Sequence, residues 1–302
     1  MKAISYSLFG YGKPKADNCF SFNSYLEGLA VNLRINRLLY PGWQTYVCLD
    51  WDTRTAFAEY FAALYIKDHS IQIHTTEPTD LCEAMLWRLL PAFDVEEDGS
   101  TYTHFICRDL DSVATYREAQ AVRQWTDSEA GAHAITDSIS HSIAMMGGMT
   151  GFTPQSFRER VRAESFEELL AKYKLDFSRK GSDQDFLNRV VYPRYAKKGE
   201  ESIIQHYFKG YSQTWLHGFT RCDCWLYANA TGHNEDCPLN APMPHLDVDP
   251  HDTNCIAQHI GSAGYNSLQT LNLIRRYRHL FEDLVEAEQA HPEIFQHLWQ
   301  KE

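Results

Sequence analysis

Two hydrophobic rhythms alternate along the first 112 residues. Residues 3–9 form a short apolar run of strand character, and the polar loop after it carries Gly10, Gly12 and Pro14. Over residues 24–39 the apolar positions fall at helical spacing, with Leu26, Leu29 and Leu33 on one face, until Pro41-Gly42 stops the pattern. The same reading predicts a strand at 45–49, an aromatic-rich helix at 53–66, a strand at 71–74, a helix at 79–90 ending near Pro91, and a strand at 103–107. Strands and helices alternating at this spacing predict right-handed βαβ units and a mainly parallel sheet flanked by helices, an α/β fold of Rossmann-like type. Ligands of such sheets bind beyond the carboxyl ends of the strands, so an acidic cluster just after a strand stands where chemistry is done.

Further along, residues 117–125 read as a helix, 143–152 as a strand interrupted by Gly147-Gly148, and 166–173 and 183–191 as helices. Residues 214–260 lose periodicity and become rich in His, Cys, Asp and Pro. A last helical stretch, 268–298, carries Leu271, Ile274, Leu280 and Leu284 and is expected to pack back on the main body. The expected organisation is therefore a sheet domain over 1–213 and a Cys/His-rich, irregular and helical extension over 214–302.

Composition narrows the function. The 302 residues are 44% hydrophobic, enough for a sizeable core. A formal net charge of -12 leaves no basic stripe for a phosphate backbone, so nucleic acid is not an expected partner. No run of ~18 apolar residues offers a membrane span. The N-terminal residues lack the long apolar region of a secretory signal, and Cys19, Cys48, Cys82 and Cys107 sit in apolar contexts as buried thiols would, so a reducing cytoplasm is expected.

The strand at 103–107 runs into Arg108-Asp109-Leu110-Asp111-Ser112. In an extended segment alternate side chains diverge, so one carboxylate of an Asp-x-Asp pair can bind a divalent cation directly while the other binds it through a turn or contacts a sugar. Such a cation clamped to a diphosphate neutralises the charge that grows on the leaving group. An isolated Asp-x-Asp is usually a solvated acidic turn, and the chain holds others, Asp50-Trp51-Asp52 and Asp247-Val248-Asp249 among them.

Several segments together resemble the retaining glycosyltransferases of the GT-A fold, in particular the galactosyl/glucosyl- and glycogenin-like family, over roughly residues 79–190 and a short piece near 259. Met85-Leu86-Trp87-Arg88-Leu89-Leu90-Pro91 resembles the helix whose arginine reaches the donor, and Met146-Gly147-Gly148-Met149 resembles the glycine-bearing strand beneath the transferred sugar. Gly181-Ser182-Asp183-Gln184-Asp185-Phe186-Leu187-Asn188 is similar to the family's Asp-Gln-Asp-x-Leu-Asn box, and His259-Ile260-Gly261 to its histidine motif. A bacterial and viral branch with an Arg-Asp-x-Asp-Ser pattern is also resembled, through Arg117-Glu118, Ala121-Val122, Trp125, His133, Asp137, His141 and Gly147-Gly148-Met149. The lysine and Pro-Trp that follow the family's histidine are absent, Ser262-Ala263-Gly264-Tyr265 standing there instead, and no Asn precedes the glycine strand.

The resemblance implies a metal-dependent, configuration-retaining transfer of a sugar from a nucleotide diphosphate, UDP above all, to a glycan, lipid or protein acceptor. It implies Mn²⁺ or Mg²⁺ on Asp109, Asp111 and His259, and Asp183 and Gln184 as catalytic residues. Ser7, Phe9, Arg88, Arg108, Asp137, Gly147 and Gly148 are the donor-binding candidates. Asp183 has a plainer alternative, capping a helix over 184–191 for ~1 kcal/mol. His133, Asp137 and His141 would share one face if helical, a possible second metal site. His217, Cys222, Cys224, His233, Cys237, His245, His251 and Cys255 form a cluster compatible with structural zinc, a local disulfide or plain packing. Two other classes compete. A nucleotidyltransferase would have no use for the Asp-Gln-Asp box, and a non-catalytic, zinc-stabilised binding protein would rest on the Cys/His segment alone.

Overall fold

The computed structural model describes residues 1–13, 21–67, 70–78, 80, 82–96, 99–114, 116–136, 143–175, 177, 181–197, 202–207, 281–289, 291, 292, 294 and 295. Strands β1 (Lys2–Leu8), β2 (Gln44–Leu49) and β3 (Ile71–Thr75) are parallel neighbours. A two-stranded hairpin, β4 (Val95–Glu96) and β5 (Gly99–Ser100), stands apart from the main sheet. Then come β6 (His104–Arg108), β7 (Ala132–Thr136), β8 (Met149–Phe152) and β9 (Ile203–Tyr207), which complete a seven-stranded sheet of order β3-β2-β1-β6-β8-β7-β9. Only β8 runs against its neighbours, pairing antiparallel with β6 and β7. The expected α/β class is therefore present, as a mixed sheet with flanking helices.

Both faces of the sheet are covered, and strand alternation distributes its residues between two cores. Ile4, Tyr6, Leu8, Val47 and Ile106 face the first core, shared with α1 (Phe22–Leu39) and α3 (Ala58–Lys67). Ala3, Tyr46, Cys48, Phe105 and Cys107 face the second. That side is closed by a 3-10 helix (Glu83–Ala92), α5 (Pro154–Val161) and α6 (Phe166–Tyr173). Cys48 and Cys107 are buried free thiols, as expected, whereas Cys82 is only half-buried and Cys19 lies outside the described residues. Burial pushes the Cys107 thiol up to about 12, so it is inert as a nucleophile.

Several expectations change in detail. The helix predicted at 53–66 is broken into α2 (Trp51–Ala56) and α3, because Phe57 leaves helical geometry as it turns into the core. Asp50, from one of the extra Asp-x-Asp pairs, caps α2 by accepting from Thr53 N at 2.9 Å and also accepts from Gly10 N at 2.8 Å. Its partner Asp52 pairs with Lys13 at 2.9 Å, so both carboxylates have structural roles. The helix predicted at 79–90 is the 3-10 helix, which carries Pro91 inside it. Of the strand predicted at 143–152 only β8 forms, and residues 143–148 are bends and turns.

β7 and β9 were not anticipated. His133 lies on β7, so the shared helical face proposed for it with Asp137 and His141 does not exist; Asp137 and His141 themselves lie outside the described residues. Helix α4 (Tyr116–Thr126) supplies Trp125, whose ring stacks on His133 at 5.4 Å. His206 of β9 sits 3.2 Å from His133, Nδ1 to Nδ1, and its Nε2 is 3.0 Å from Gln124 Oε1. With the Gln124 oxygen accepting, His206 Nε2–H donates outward and His206 Nδ1 accepts from His133 Nδ1–H.

Of the helical stretch expected over 268–298, α9 (Glu282–Glu288) packs on the first core through Leu284 and Ala287, while Leu271, Ile274 and Leu280 lie outside the described residues. Glu288 forms a buried ion pair with Arg34 of α1 at 2.7 Å, and Asp283 bonds Arg37 at 2.9 Å. Among the described residues no helix is long and apolar enough to cross a membrane. The Cys/His cluster of 217–255 lies outside the described residues.

The His133–His206 pair makes stability pH-dependent. Burial holds His133 well below the ordinary histidine range and lowers His206 to about 3. Above about pH 6.5 both states are neutral and the pair contributes no slope. Below it the unfolded chain binds protons that the folded chain refuses, so folding weakens as pH falls. At pH 5 the penalty from His206 is about 2 kcal/mol relative to about pH 7.5, and His133 acts in the same direction. Melting should therefore fall between pH 7 and 5, and the fall should be shallower in His206→Gln. Parallel melting curves for the two proteins would refute this account.

Candidate functional site

β6 ends at Arg108, and the chain turns there into Asp109-Leu110-Asp111-Ser112. The loop is held from beneath. Asn32, a buried polar residue on α1, donates from Nδ2 to the carbonyls of Leu110 at 3.3 Å and Ser112 at 3.0 Å. Arg108 donates to Ser112 Oγ at 3.2 Å and to the Gly148 carbonyl at 3.1 Å, while its Nε lies 3.3 Å from Glu118. Tyr40 donates to the same Glu118 oxygen at 3.2 Å. The Arg108 side chain, expected among the donor-binding groups, is thus turned inward and ties the Asp-x-Asp loop to the turn before β8.

That turn is where the reversed strand matters. Because β8 is antiparallel to β6, Arg108 at the end of β6 pairs with Met149 at the start of β8. Gly147 and Gly148 therefore arrive beside Asp109. A Cβ at Gly148 would lie 2.1 Å from Asp109 Oδ2, and one at Gly147 would lie 2.7 Å from Asp183 Oδ2. The carboxylates occupy the space that side chains here would need.

Arg88 completes the cluster. Its 3-10 helix delivers it to the same edge, where Nε donates to Met85 O at 2.7 Å. Its fork then bridges two carboxylates, Nη1 to Asp109 and Nη2 to Asp183 Oδ2, the latter at 3.3 Å. Beneath it Trp87 is fully buried and packs edge-on against Phe9 at 5.9 Å. Ser7 closes β1 nearby with its hydroxyl oxygen buried and without a hydrogen-bond partner.

Asp183 comes from α7 (Ser182–Phe186), whose cap is Gly181 at φ 91°. The capping role considered for Asp183 is therefore excluded: it stands inside the first turn and its carboxylate meets Arg88. The helix expected over 183–191 widens into a π turn at Leu187–Val191 before α8 (Tyr192–Tyr195). Asn188 explains the widening. Its Nδ2 donates to Gln184 O, the i−4 carbonyl that an α-helix would keep for itself, at 2.8 Å. The same amide clamps Met145, donating to its carbonyl at 2.8 Å and accepting from its N–H at 3.0 Å. Gln205 of β9 anchors the same segment by donating to Ala144 O at 3.0 Å. Gln184 is half-buried one residue after Asp183.

Charge is concentrated here. Burial, with Asp109 adjacent, pushes the Asp111 carboxyl up to about 6. Burial also raises Asp183, while the Arg88 guanidinium opposes that shift. Among the described residues no group of three or more His, Cys, Asp or Glu side chains is set to hold a metal ion. The expected third ligand, His259, and the expected donor contact Asp137 lie outside the described residues. Asn32 and Gln205 were not singled out from the sequence, and Glu118 entered only through the Arg117-Glu118 resemblance, with no role given to it. A buried polar residue on an otherwise leucine-lined helix face was the one available signal, for Asn32 alone.

Two variants test this construction. Gly148→Ala puts a methyl group into the Asp109 carboxylate, which can rotate away for about 0.5–1.5 kcal/mol. Melting should drop by only a few degrees, whereas, if Asp109 is a metal ligand, Mn²⁺ affinity should fall on the order of 10- to 100-fold, as for other disturbances of ligand orientation. Unchanged Mn²⁺ titrations would mean that Asp109 is not a ligand. Asn188→Ala unpairs the Met145 backbone and should cost about 1–3 kcal/mol in urea unfolding; a loss under 0.5 kcal/mol would deny Asn188 its clamping role. No model of a known protein family matches this chain and no curated protein matches it significantly, so the function has to be argued from the geometry of this site.

Proposed function

We propose that the chain is a metal-dependent, configuration-retaining glycosyltransferase of GT-A type, moving a sugar from a nucleotide-diphosphate donor, UDP by resemblance, to an acceptor hydroxyl. One observation carries the reading. Arg88, Asp109 and Asp183, 21 and 95 residues apart along the chain, meet in one ion-pair cluster at the carboxyl edge of the sheet. They do so against the Gly147-Gly148 turn, with Asp111 two residues from Asp109. These are the segments whose sequences carry the family resemblance.

The donor set suits a hard, partly hydrated cation. Asp109 is half-exposed, and the Asp111 carboxyl is raised first by burial and then by the neighbouring Asp109 charge, the part that a bound cation would relieve. Asp109 and Asp111 would hold Mn²⁺ or Mg²⁺, with His259 as the expected third ligand. Its contribution would be to neutralise charge on the departing diphosphate.

The chain's own residues do the rest. Arg88 offers a planar fork of N–H donors suited to phosphate or ribose oxygens. Gly147 and Gly148 let backbone approach the sugar where any Cβ would intrude. Asp183, a buried carboxylate whose Oδ2 is held by Arg88, would accept from a sugar hydroxyl. In a retaining transfer the acceptor oxygen bonds to the anomeric carbon on the face the diphosphate leaves. The carbon–oxygen bond to the phosphate breaks, and the acceptor proton passes to the diphosphate oxygen. Gln184 would line the opposite face as a polar stabiliser.

A melting-temperature screen of nucleotide sugars with and without Mn²⁺ tests the reading. A donor at 100 times its dissociation constant adds ~2.7 kcal/mol, a shift of several degrees. The shift should need Mn²⁺ and vanish in Asp111→Asn, whose metal-free melting should stay near wild type. If no nucleotide sugar shifts melting, or the shift survives in Asp111→Asn, the proposal is wrong.

A further inference from the structure

Arg88 faces two carboxylates in very different surroundings. The Asp183 side chain is 2% exposed and the Asp109 side chain 48% exposed, while Arg88 itself is 9% exposed. An ion pair removed from water is hard to break, because the partner left behind is a buried charge. One half in water contributes little and exchanges readily. The guanidinium is also pivoted, since Nε is fixed to Met85 O at 2.7 Å while the two Nη groups reach outward. Gly147 lies against both the fork and Asp183: a Cβ there would stand 3.4 Å from Arg88 Cζ and Nη1 and 2.7 Å from Asp183 Oδ2, so the glycine leaves space beside the guanidinium that a side chain would fill.

We propose that Arg88 is an exchangeable counter-ion: in the cation-free protein it bridges Asp109 and Asp183, and a divalent cation arriving at Asp109 and Asp111 displaces it from Asp109 alone. The bond to Asp183 persists and serves as the hinge. The released Nη1 N–H groups then face the edge where a phosphate would enter. Cation and diphosphate are thereby coupled: the cation takes over Asp109 and frees the donors that the anion needs, and by linkage each strengthens the other's binding. This rests on the glycosyltransferase reading only in taking Asp109 and Asp111 as cation ligands.

Mn²⁺ binding to nucleotide-free protein, read by electron paramagnetic resonance, tests the exchange on wild type, Arg88→Lys and Arg88→Gln. Lysine keeps the positive charge but lacks the fork that bridges two carboxylates. Both variants should bind Mn²⁺ roughly two- to fivefold more tightly than wild type, the scale of a half-exposed ion pair. If only Arg88→Gln gains, Arg88 acts as a distant charge and the exchange is overturned. If wild type binds Mn²⁺ and neither variant gains, the exchange is again overturned while the metal reading stands. If none of the three binds Mn²⁺, both fall. Should Arg88→Gln fail to fold, Arg88→Lys, which keeps a cation beside Asp183, decides the question by itself.

Discussion

A carboxylate as deeply buried as Asp183 has to meet a positive charge, and Arg88 is the residue that meets it. Much of the surrounding architecture follows from that pairing. The 3-10 helix has to present Arg88 at the carboxyl edge of the sheet, and α7 has to start at Gly181 so that Asp183 falls in its first turn. A side chain at Gly147 or Gly148 would displace one of the two carboxylates that share Arg88, because these lie against the glycine backbone. Neither α7 nor the turn could move far without leaving the charge of Asp183 unanswered.

The two arginines beside the site divide its labour. Arg88 faces the cluster, while Arg108 faces the interior and, with Glu118, Tyr40 and Ser112, ties the Asp-x-Asp loop to the core. Asn32 reaches the same loop from α1. A buried polar network of this kind is costly to assemble, but once its members are paired it holds the loop in one arrangement. Two carboxylates that repel each other can then be kept close without the loop spreading. Asn188 and Gln205 do the corresponding work for the segment before β8, one through a π turn that gives up regular helical bonding to reach Met145.

The reversal of β8 is the topological counterpart. In a wholly parallel sheet the start of the strand beside β6 would lie at the opposite edge, away from Asp109. Running antiparallel, β8 brings its leading glycines to the end of β6. Site segments more than 30 residues apart thus meet at one edge without a long loop between them.

Read alone, the sequence determined the alternation of β1, α1, β2, β3 and β6, because long apolar patterns with clear punctuation report burial directly. It also determined the acidic loop after β6 and the box at 183–188 as sites of interest, since their residue types announce their chemistry. It missed β7 and β9, short strands in which His133, Gln205 and His206 are buried. A polar residue reads as exposed until its partner is known, and each of these finds its partner on another element. For the same reason it took Arg108 for a ligand-facing group and Asp183 for a possible cap. Which of the two arginines, Arg88 or Arg108, faces the carboxylate cluster, and which carboxylate is buried, depends on contacts between residues remote in the chain, and only the tertiary structure decided them.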